Sequence, residues 1–107
     1  MPVVNIEYDS KKVKKLEIVA LSKAVHKIVS EATKIEDVPV YANNSQIKFK
    51  VSPIEIFVRI SAHKVNNLED LTKKIESKLS EWKKKNSFPQ PINLSVILMQ
   101  WKIKIGI

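Results

Sequence analysis

The feature that most constrains the fold is an internal repeat, in which a strand pattern and the start of a helix pattern recur 52 residues further along the chain. Residues 12–17 (KVKKLE) resemble residues 64–69 (KVNNLE). The apolar positions of the preceding strands coincide at the same offset: Val4, Ile6 and Tyr8 with Ile56, Val58 and Ile60. Such a repeat indicates two strand-helix-strand units in tandem. The two strands of each unit can run parallel, because a helix is present to make the crossover.

Hydrophobic periodicity predicts each element of the two units. Strands are expected at 3–8, 38–51 (two short pieces around a polar turn at 43–45), 54–61 and 92–105, and helices at 11–33 and 68–85. We therefore predict an α+β fold, with two tandem βαβ units forming a four-stranded mixed sheet and two helices on one face. The whole chain, 1–107, is expected to be a single domain with pseudo-repeat halves of about 1–51 and 52–107.

Two apolar patterns predict how these elements pack. The first helix is expected to bury a broad stripe against the sheet. Its members are Val13, Leu16, Ala20, Ala24, Ile28 and Ala32, widened by Leu21, Val25 and Ile35. Residues 96–99 are all apolar, which predicts a strand covered on both faces. The alternation of Trp101, Ile103 and Ile105 with lysines leaves an apolar edge, for which a partner subunit is expected.

Composition excludes several classes of site. The 107 residues are 44% hydrophobic and 28% charged, as in an ordinary globular domain. The absence of cysteine excludes disulfides, a thiol nucleophile and thiolate metal ligands, and the single glycine excludes a glycine-rich phosphate loop. We expect neither a cofactor nor a metal. No apolar run approaches the roughly 18 residues of a membrane helix and no leader pattern precedes the first strand, so a cytoplasmic protein without a membrane partner is expected.

The net charge is strongly positive and is carried almost entirely by lysine. The formal value is +8, and Arg59 is the only arginine. Proteins that read nucleic-acid sequence usually use arginine forks, and charge alone gives only non-specific affinity, so nucleic acid is not the expected partner. Residues 11, 12, 14 and 15 are all lysines at the start of the first helix, where each cation opposes the helix dipole by about 0.3–1 kcal/mol. They either form a solvated face or await an anion.

Pro2 follows the initiator methionine and leads directly into the first strand. Removal of Met1 would leave a secondary amine at the start of a buried strand. Burial disfavours the charged form of an amine, and nearby lysines disfavour a second cation, so both effects lower the pKa of the amine. A secondary amine whose pKa lies near neutrality can act as a general base. If Met1 is retained, the Pro2 nitrogen is an amide and has no basicity.

The Met1-Pro2 start, the doubled βαβ unit and the apolar C-terminal strand together resemble the tautomerase superfamily, of the macrophage migration inhibitory factor and 5-carboxymethyl-2-hydroxymuconate isomerase types. The resemblance covers nearly the whole chain. It implies a tautomerase-like fold and a homotrimer with sites near subunit interfaces. It also implies that Pro2, as the N-terminal residue, is the general base of a keto-enol tautomerase, an isomerase that acts on a small 2-oxo or 2-hydroxy acid.

The same resemblance implies substrate-binding positions. In 4-oxalocrotonate tautomerase an arginine just after the first strand binds a substrate carboxylate, and Lys11 or Lys12 stands in that place here. In the migration inhibitory factor group a lysine follows the first helix within a Thr-Gly-Lys stretch, which makes Lys34 of residues 32–34 (ATK) a candidate. The second-strand arginine of 4-oxalocrotonate tautomerase has no match, because residues 38–40 are VPV, and the glycine-rich stretches of the migration inhibitory factor group are missing.

Three further residues are candidates by position. Arg59 lies on the polar face of its strand, where it either binds a substrate carboxylate and a developing enolate oxygen or pairs with Glu7 or Glu55. Tyr41 and Trp101 either line a pocket or serve in packing.

Two other functions remain open from the sequence. A catalytically silent oligomer of the same fold would bind or assemble without chemistry. A ferredoxin-like RNA-binding domain has the same βαββαβ order and suits the +8 charge. That domain needs exposed aromatic residues on its first and third strands, and Phe57 is the one suitable residue.

Overall fold

The computed structural model describes residues 2–44, 52–61, 67–100 and 105–107. Within these ranges the chain forms four strands and two helices in the order βαββαβ. The elements are β1 (Val3–Tyr8), α1 (Lys15–Thr33), β2 (Val40–Asn44), β3 (Ile54–Ser61), α2 (Leu68–Lys85) and β4 (Ile92–Met99). Neither helix of the described part of the chain is both long and apolar enough to cross a membrane.

The four strands form one mixed sheet in the order β2-β1-β3-β4. β1 is parallel to β2 and β3 is parallel to β4, so each half of the chain supplies one parallel pair. The two pairs join through β1 and β3, which are antiparallel, with Val3 opposite Arg59 and Tyr8 opposite Ile54. The predicted α+β architecture of two tandem βαβ units is therefore confirmed.

Both helices pack on one face of this sheet. The fully buried side chains of the inner strands alternate along the chain, as expected for a half-buried sheet. They are Val4, Ile6, Ile54, Ile56, Val58 and Ile60. The intervening residues form the opposite face, whose side chains are mostly half-buried or exposed. We call it the uncovered face, and it includes Val3, Asn5, Glu7, Tyr41, Glu55, Phe57, Arg59, Ser61 and Ile97.

The buried stripe of α1 differs from the predicted one. The helix begins at Lys15 and buries Ile18, Leu21, Val25 and Val29 against the sheet. Leu21 and Val25, predicted to widen the stripe, are buried, whereas Leu16, predicted at its centre, is 82% exposed and Ala20 is exposed as well. The centre of the predicted stripe was wrong because the prediction took its phase from Val13. That residue is buried in the turn before the helix, where its N–H donates to Asp9 O at 2.9 Å.

The bounds of α2 agree with the predicted signals. The Asn67 side chain accepts a hydrogen bond from the Asp70 N–H at 3.1 Å and so caps the first turn. Lysines occupy the last turn, where cations favour the helix dipole. Trp82, near that end, packs on Phe88 of the following loop with ring centroids 5.2 Å apart. Both side chains are partly buried and pack against the core.

The two edge strands differ from the prediction within the described residues. Asn43 and Asn44, assigned to a polar turn, instead complete β2 and pair with the end of β1. β4 ends at Met99 and lies at an edge of the sheet, and its last residues, Leu98 and Met99, are exposed rather than covered on both faces. The remaining parts of these two predictions, residues 45–51 and 101–104, lie outside the described residues.

Candidate active site

Pro2 lies at the start of an inner strand and is fully buried. On one side, the N–H of Val4 donates to Pro39 O at 3.0 Å, just before β2. On the other side, Val3 pairs with Arg59 of β3. The beginning of β1 is therefore held between two strands, and the backbone around Pro2 has little freedom to move.

Arg59 is the cation of the inner strands, and it lies at the Pro2 end of the sheet. Because it pairs with Val3, its Cα lies within about 10 Å of the Pro2 Cα. Its Nη1 donates to Asn5 Oδ1 at 2.8 Å, and its guanidinium carbon lies 5.5 Å from the centre of the Phe57 ring. One of the five N–H donors of the guanidinium is used in this way. The arrangement orients the guanidinium on the uncovered face.

Lys34 lies at the same end of the sheet, because α1 runs antiparallel to β1 and ends at Thr33. It is exposed and has left-handed backbone angles (φ 59°, ψ 34°) at the C-cap of the helix. Glycine is the usual residue in this conformation, because a side chain there is strained. A lysine at this position therefore carries a cost that its backbone role does not explain.

Lys11 and Lys12 lie at the opposite end of β1. The strand that separates them from Pro2 has six residues, which corresponds to about 20 Å of extended chain. Both side chains are exposed. Within one subunit the structure therefore brings together Pro2, Arg59 and Lys34 at one end, and it does not place Lys11 or Lys12 with them.

The two aromatic candidates differ in what the structure describes. Tyr41 lies on the uncovered face of β2, opposite Asn5 in register, and its side chain is 56% exposed. It is open to a ligand or to a second subunit rather than packed in the core. Trp101 lies outside the described residues.

Two residues near this end were not singled out from the sequence. Asn5 orients Arg59, as described above. Ser61 lies at the end of β3, on the same face as Arg59, and it is the buried polar residue of the described chain, with 5% exposure. The one sequence signal that could have singled out Ser61 is that a small polar residue follows a run of large side chains at the end of β3. An asparagine inside a strand carries no comparable signal, because its role depends on a partner from the other half of the chain.

The described residues contain no group of three His, Cys, Asp or Glu side chains able to hold a metal ion. They do contain a cleft of about 640 Å³ between α1 and α2. It is lined by Ala20, Ala24 and Trp82 together with charged side chains of both helices. This cleft lies on the helical layer and does not contact Pro2.

No known family profile matches this chain, and no curated protein sequence matches it either. Solved structures do match. Macrophage migration inhibitory factor of Toxoplasma gondii is 18% identical over 96% of each chain, with a TM-score of 0.64. A fused 4-OT protein, described as an asymmetric trimer, is 13% identical over 97% of this chain and 92% of its own, with a TM-score of 0.68. A 5-carboxymethyl-2-hydroxymuconate delta-isomerase is 9% identical over 99% and 89%, with a TM-score of 0.63.

These similarities extend over almost the whole of each chain. The chain therefore has the tautomerase-like fold, and the resemblance noted from the sequence is confirmed at the level of the fold. Sequence identities of 9–18% do not extend that conclusion to the reaction.

Proposed function

We propose that this chain, after removal of Met1, is a tautomerase that uses the Pro2 amine as general base on a small anionic 2-oxo or 2-hydroxy acid. The observation that carries the proposal is the position of Pro2. It is fully buried at the start of an inner strand, at the same end of the sheet as the cations Arg59 and Lys34. The similar structures include a delta-isomerase, which supports an isomerase reaction on this fold.

The proposed reaction moves one proton and involves no redox change. The neutral Pro2 nitrogen accepts a proton from the carbon next to the substrate carbonyl. The C–H electron pair forms a C=C bond, and the carbonyl π pair moves to oxygen to give an enolate. The protonated amine then returns its proton to that oxygen or to a more distant carbon, which completes the isomerisation. A cation near the enolate oxygen lowers the barrier, because charge develops there.

Arg59 and Lys34 are the proposed substrate-binding residues. A 2-oxo acid carries a carboxylate next to its carbonyl, so a cation that binds the carboxylate also orients the reacting carbon. Arg59 suits this role because a guanidinium binds a carboxylate through two parallel hydrogen bonds. Lys11 and Lys12 can contribute only across a subunit boundary, since they lie about 20 Å from Pro2 in their own subunit.

We further propose that the chain assembles as a homotrimer through the uncovered face and its edges. Tyr41 is 56% exposed on this face, and Leu98 and Met99 are exposed at the end of β4. Large apolar side chains at a sheet edge are usually covered by a partner. The fused 4-OT protein of the same fold is described as a trimer. Light scattering on the purified chain measures the oligomer size directly, and a monomer at micromolar concentration contradicts this part of the proposal.

Intact mass measurement is the first experiment, since it reports whether Met1 is present. Turnover is then followed by ultraviolet absorbance in the reverse direction, from enol to keto form, with phenylenolpyruvate and 2-hydroxymuconate as test enols. Pro2→Ala is expected to lower kcat/KM by about 10²–10⁴-fold, the usual contribution of a general base. Pro89→Ala, an exposed proline in the loop after α2, is the matched control and retains activity. A retained methionine, or equal turnover in Pro2→Ala, overturns the proposal.

The second candidate function is a catalytically silent oligomer of the same fold. One observation favours it: Arg59 already has structural partners in Asn5 and Phe57, so its presence does not require a substrate. A trimer that lacks Met1 but turns over neither test enol would select this alternative.

A further inference from the structure

The fold brings together two lysine runs that lie about 70 residues apart in sequence. One run follows β1 and leads into α1, and the other ends α2. Because α1 and α2 are antiparallel, the start of the first and the end of the second lie at the same end of the molecule. Two contacts of Gln90, in the loop between α2 and β4, fix this arrangement. Gln90 Nε2 donates to Lys12 O at 2.9 Å, and Lys83 Nζ donates to Gln90 O at 2.6 Å.

We call this surface the lysine pole, and it lies at the opposite end of the sheet from Pro2. Its members are the exposed residues Lys11, Lys12, Lys14, Lys15, Lys84 and Lys85. Lys85 and Ala20 line the same cleft, which places the end of α2 beside the first turns of α1. The positive end of the α1 dipole lies at this pole as well.

The acidic side chains nearest to the pole in sequence accept hydrogen bonds from backbone N–H groups of the same segment. Asp9 Oδ1 accepts from the Lys11 N–H at 3.0 Å, and Glu17 Oε1 accepts from the Lys14 N–H at 2.9 Å. Glu81 pairs with Lys78, at 3.9 Å, on α2. Four of the six exposed lysines, at 11, 12, 14 and 15, therefore surround the start of α1, where cations are unfavourable, and Lys84 and Lys85 add two more positive charges from the end of α2. Such an arrangement favours an anionic partner.

We infer that the lysine pole binds the phosphodiester backbone of nucleic acid without reading its sequence. Lysines clustered at one end of a chain with a pI of about 9.7 form the electrostatic footprint of such a partner. The near absence of arginine argues against base recognition, but backbone binding needs only cations. This surface is distinct from the sheet face that a ferredoxin-like RNA-binding domain uses to stack bases.

Two other anionic partners fit the observations less well. Helices that bind a bilayer surface insert a broad free apolar face, whereas here the main apolar stripes of α1 and α2 are buried in the core and the large apolar side chains that the described part of the two helices exposes are Leu16 and Val19. Protein interfaces are depleted in lysine and enriched in aromatic residues. At this pole the aromatic pair Trp82 and Phe88 is half-buried and packed on itself. Charge is therefore the main binding contribution that the pole offers.

The test compares two quadruple variants that remove the same charge from the same two helical segments and their flanks. The pole variant is Lys11→Gln, Lys12→Gln, Lys84→Gln and Lys85→Gln. The matched control is Lys23→Gln, Lys27→Gln, Lys73→Gln and Lys74→Gln, four exposed lysines of α1 and α2 away from the pole. Binding to a fluorescein-labelled 20-nucleotide oligouridylate is measured by anisotropy over a series of salt concentrations, and far-ultraviolet circular dichroism verifies folding.

The unmodified chain is expected to bind with a dissociation constant in the micromolar range at low salt, and the affinity should fall steeply as salt rises. The pole variant should bind at least tenfold more weakly, and its slope of log affinity against log salt should be flatter by about 2–3, as expected for the loss of four single-strand contacts. The control should weaken binding less than threefold. A variant with arginine at the four pole positions should retain the affinity.

Three results would overturn the inference. One is an equal loss of affinity in the two quadruple variants, which would mean that net charge alone is responsible. Another is undetectable binding by the unmodified chain at 50 mM salt, on the order of the concentrations where non-specific complexes form. The third is preferential binding to vesicles containing phosphatidylserine over the oligonucleotide, which would assign the pole to a lipid surface.

Discussion

Arg59 of β3 donates a hydrogen bond from Nη1 to Oδ1 of Asn5 on β1, at 2.8 Å. The two residues belong to different βαβ halves, so this bond crosses the antiparallel junction that joins them. It is a diagonal contact, because Asn5 pairs in register with Phe57 and Arg59 pairs with Val3. The ring of Phe57 supports the guanidinium from the same face. The one arginine of the chain is therefore held in a defined orientation by its own strand and by β1.

We predict that Arg59→Lys lowers kcat/KM for the proposed tautomerase reaction by about tenfold to a hundredfold. A lysine keeps the charge but loses the fork that binds a carboxylate and the contact with Asn5, and a hydrogen bond to a charged group is worth about 1.5–3 kcal/mol. Steady-state kinetics with phenylenolpyruvate measure the effect. Lys73→Ala, at an exposed position on α2, should leave kcat/KM unchanged. Equal kinetics in Arg59→Lys and the unmodified enzyme would remove Arg59 from the site.

Lys34→Gly is expected to raise the stability of the fold and to lower the proposed activity. Glycine relieves the strain of φ 59° at the end of α1, so the free energy of unfolding should rise by roughly 0.5–1 kcal/mol after allowance for the greater entropy of the unfolded chain. The same change removes a cation from the Pro2 end and should lower kcat/KM. Ser87→Gly is the matched control, because Ser87 also has positive φ (50°) but lies beyond α2, away from Pro2. Urea denaturation and kinetics on both variants decide whether Lys34 has more than a structural role.

The phase of α1 can be tested with two leucines on the same helix. Leu21→Ala should destabilise the fold by about 2–5 kcal/mol, since Leu21 is fully buried and the change leaves a cavity. Leu16→Ala should change stability by less than about 0.5 kcal/mol, because Leu16 is 82% exposed. Chemical denaturation gives both values. Comparable losses in the two variants would mean that Leu16 is covered, either by this chain or by a second subunit.

The pH dependence of kcat/KM follows from the protonation state of the proposed base. Pro2 can accept a proton only as the neutral amine, so activity should be lost as pH falls below the pKa of that amine and should reach a plateau above it. Burial disfavours the charged form of an amine, so we expect the active range to extend downwards. A pH-rate profile of the processed enzyme measures this directly. Insertion of an alanine between Met1 and Pro2 should abolish the ascending limb, because the proline nitrogen is then an amide.

The strand-helix pattern of the sequence was sufficient to predict the architecture. Alternation at 54–61 was unambiguous, and Asn67 and the lysines at 83–85 marked the two ends of α2 as the structure has them. Local signals of this kind depend on neighbours in the chain. The fold class followed because two such units have few ways to form one sheet.

The phase of α1 could not be obtained in the same way. Val13 precedes the helix and is buried in a turn, so a helical pattern that begins from it is rotated relative to the stripe that the helix buries. The candidate site was only partly predictable for a related reason. Pro2, Lys34 and Arg59 meet at one end because α1 and β3 both run antiparallel to β1. Two further features of the candidate site depend on the three-dimensional arrangement of the strands. One is the distance from Pro2 to Lys11 and Lys12, and the other is the hydrogen bond between Arg59 and Asn5.

The inner position of β1 has one more consequence. A base carried by a loop can be displaced while the rest of an enzyme stays folded, but the first residues of β1 are bonded to neighbours on both sides. They can be released only when strand pairing itself is lost. Heat inactivation of the proposed enzyme should therefore follow the same curve as its melting, with no intermediate temperature at which a folded but idle protein accumulates.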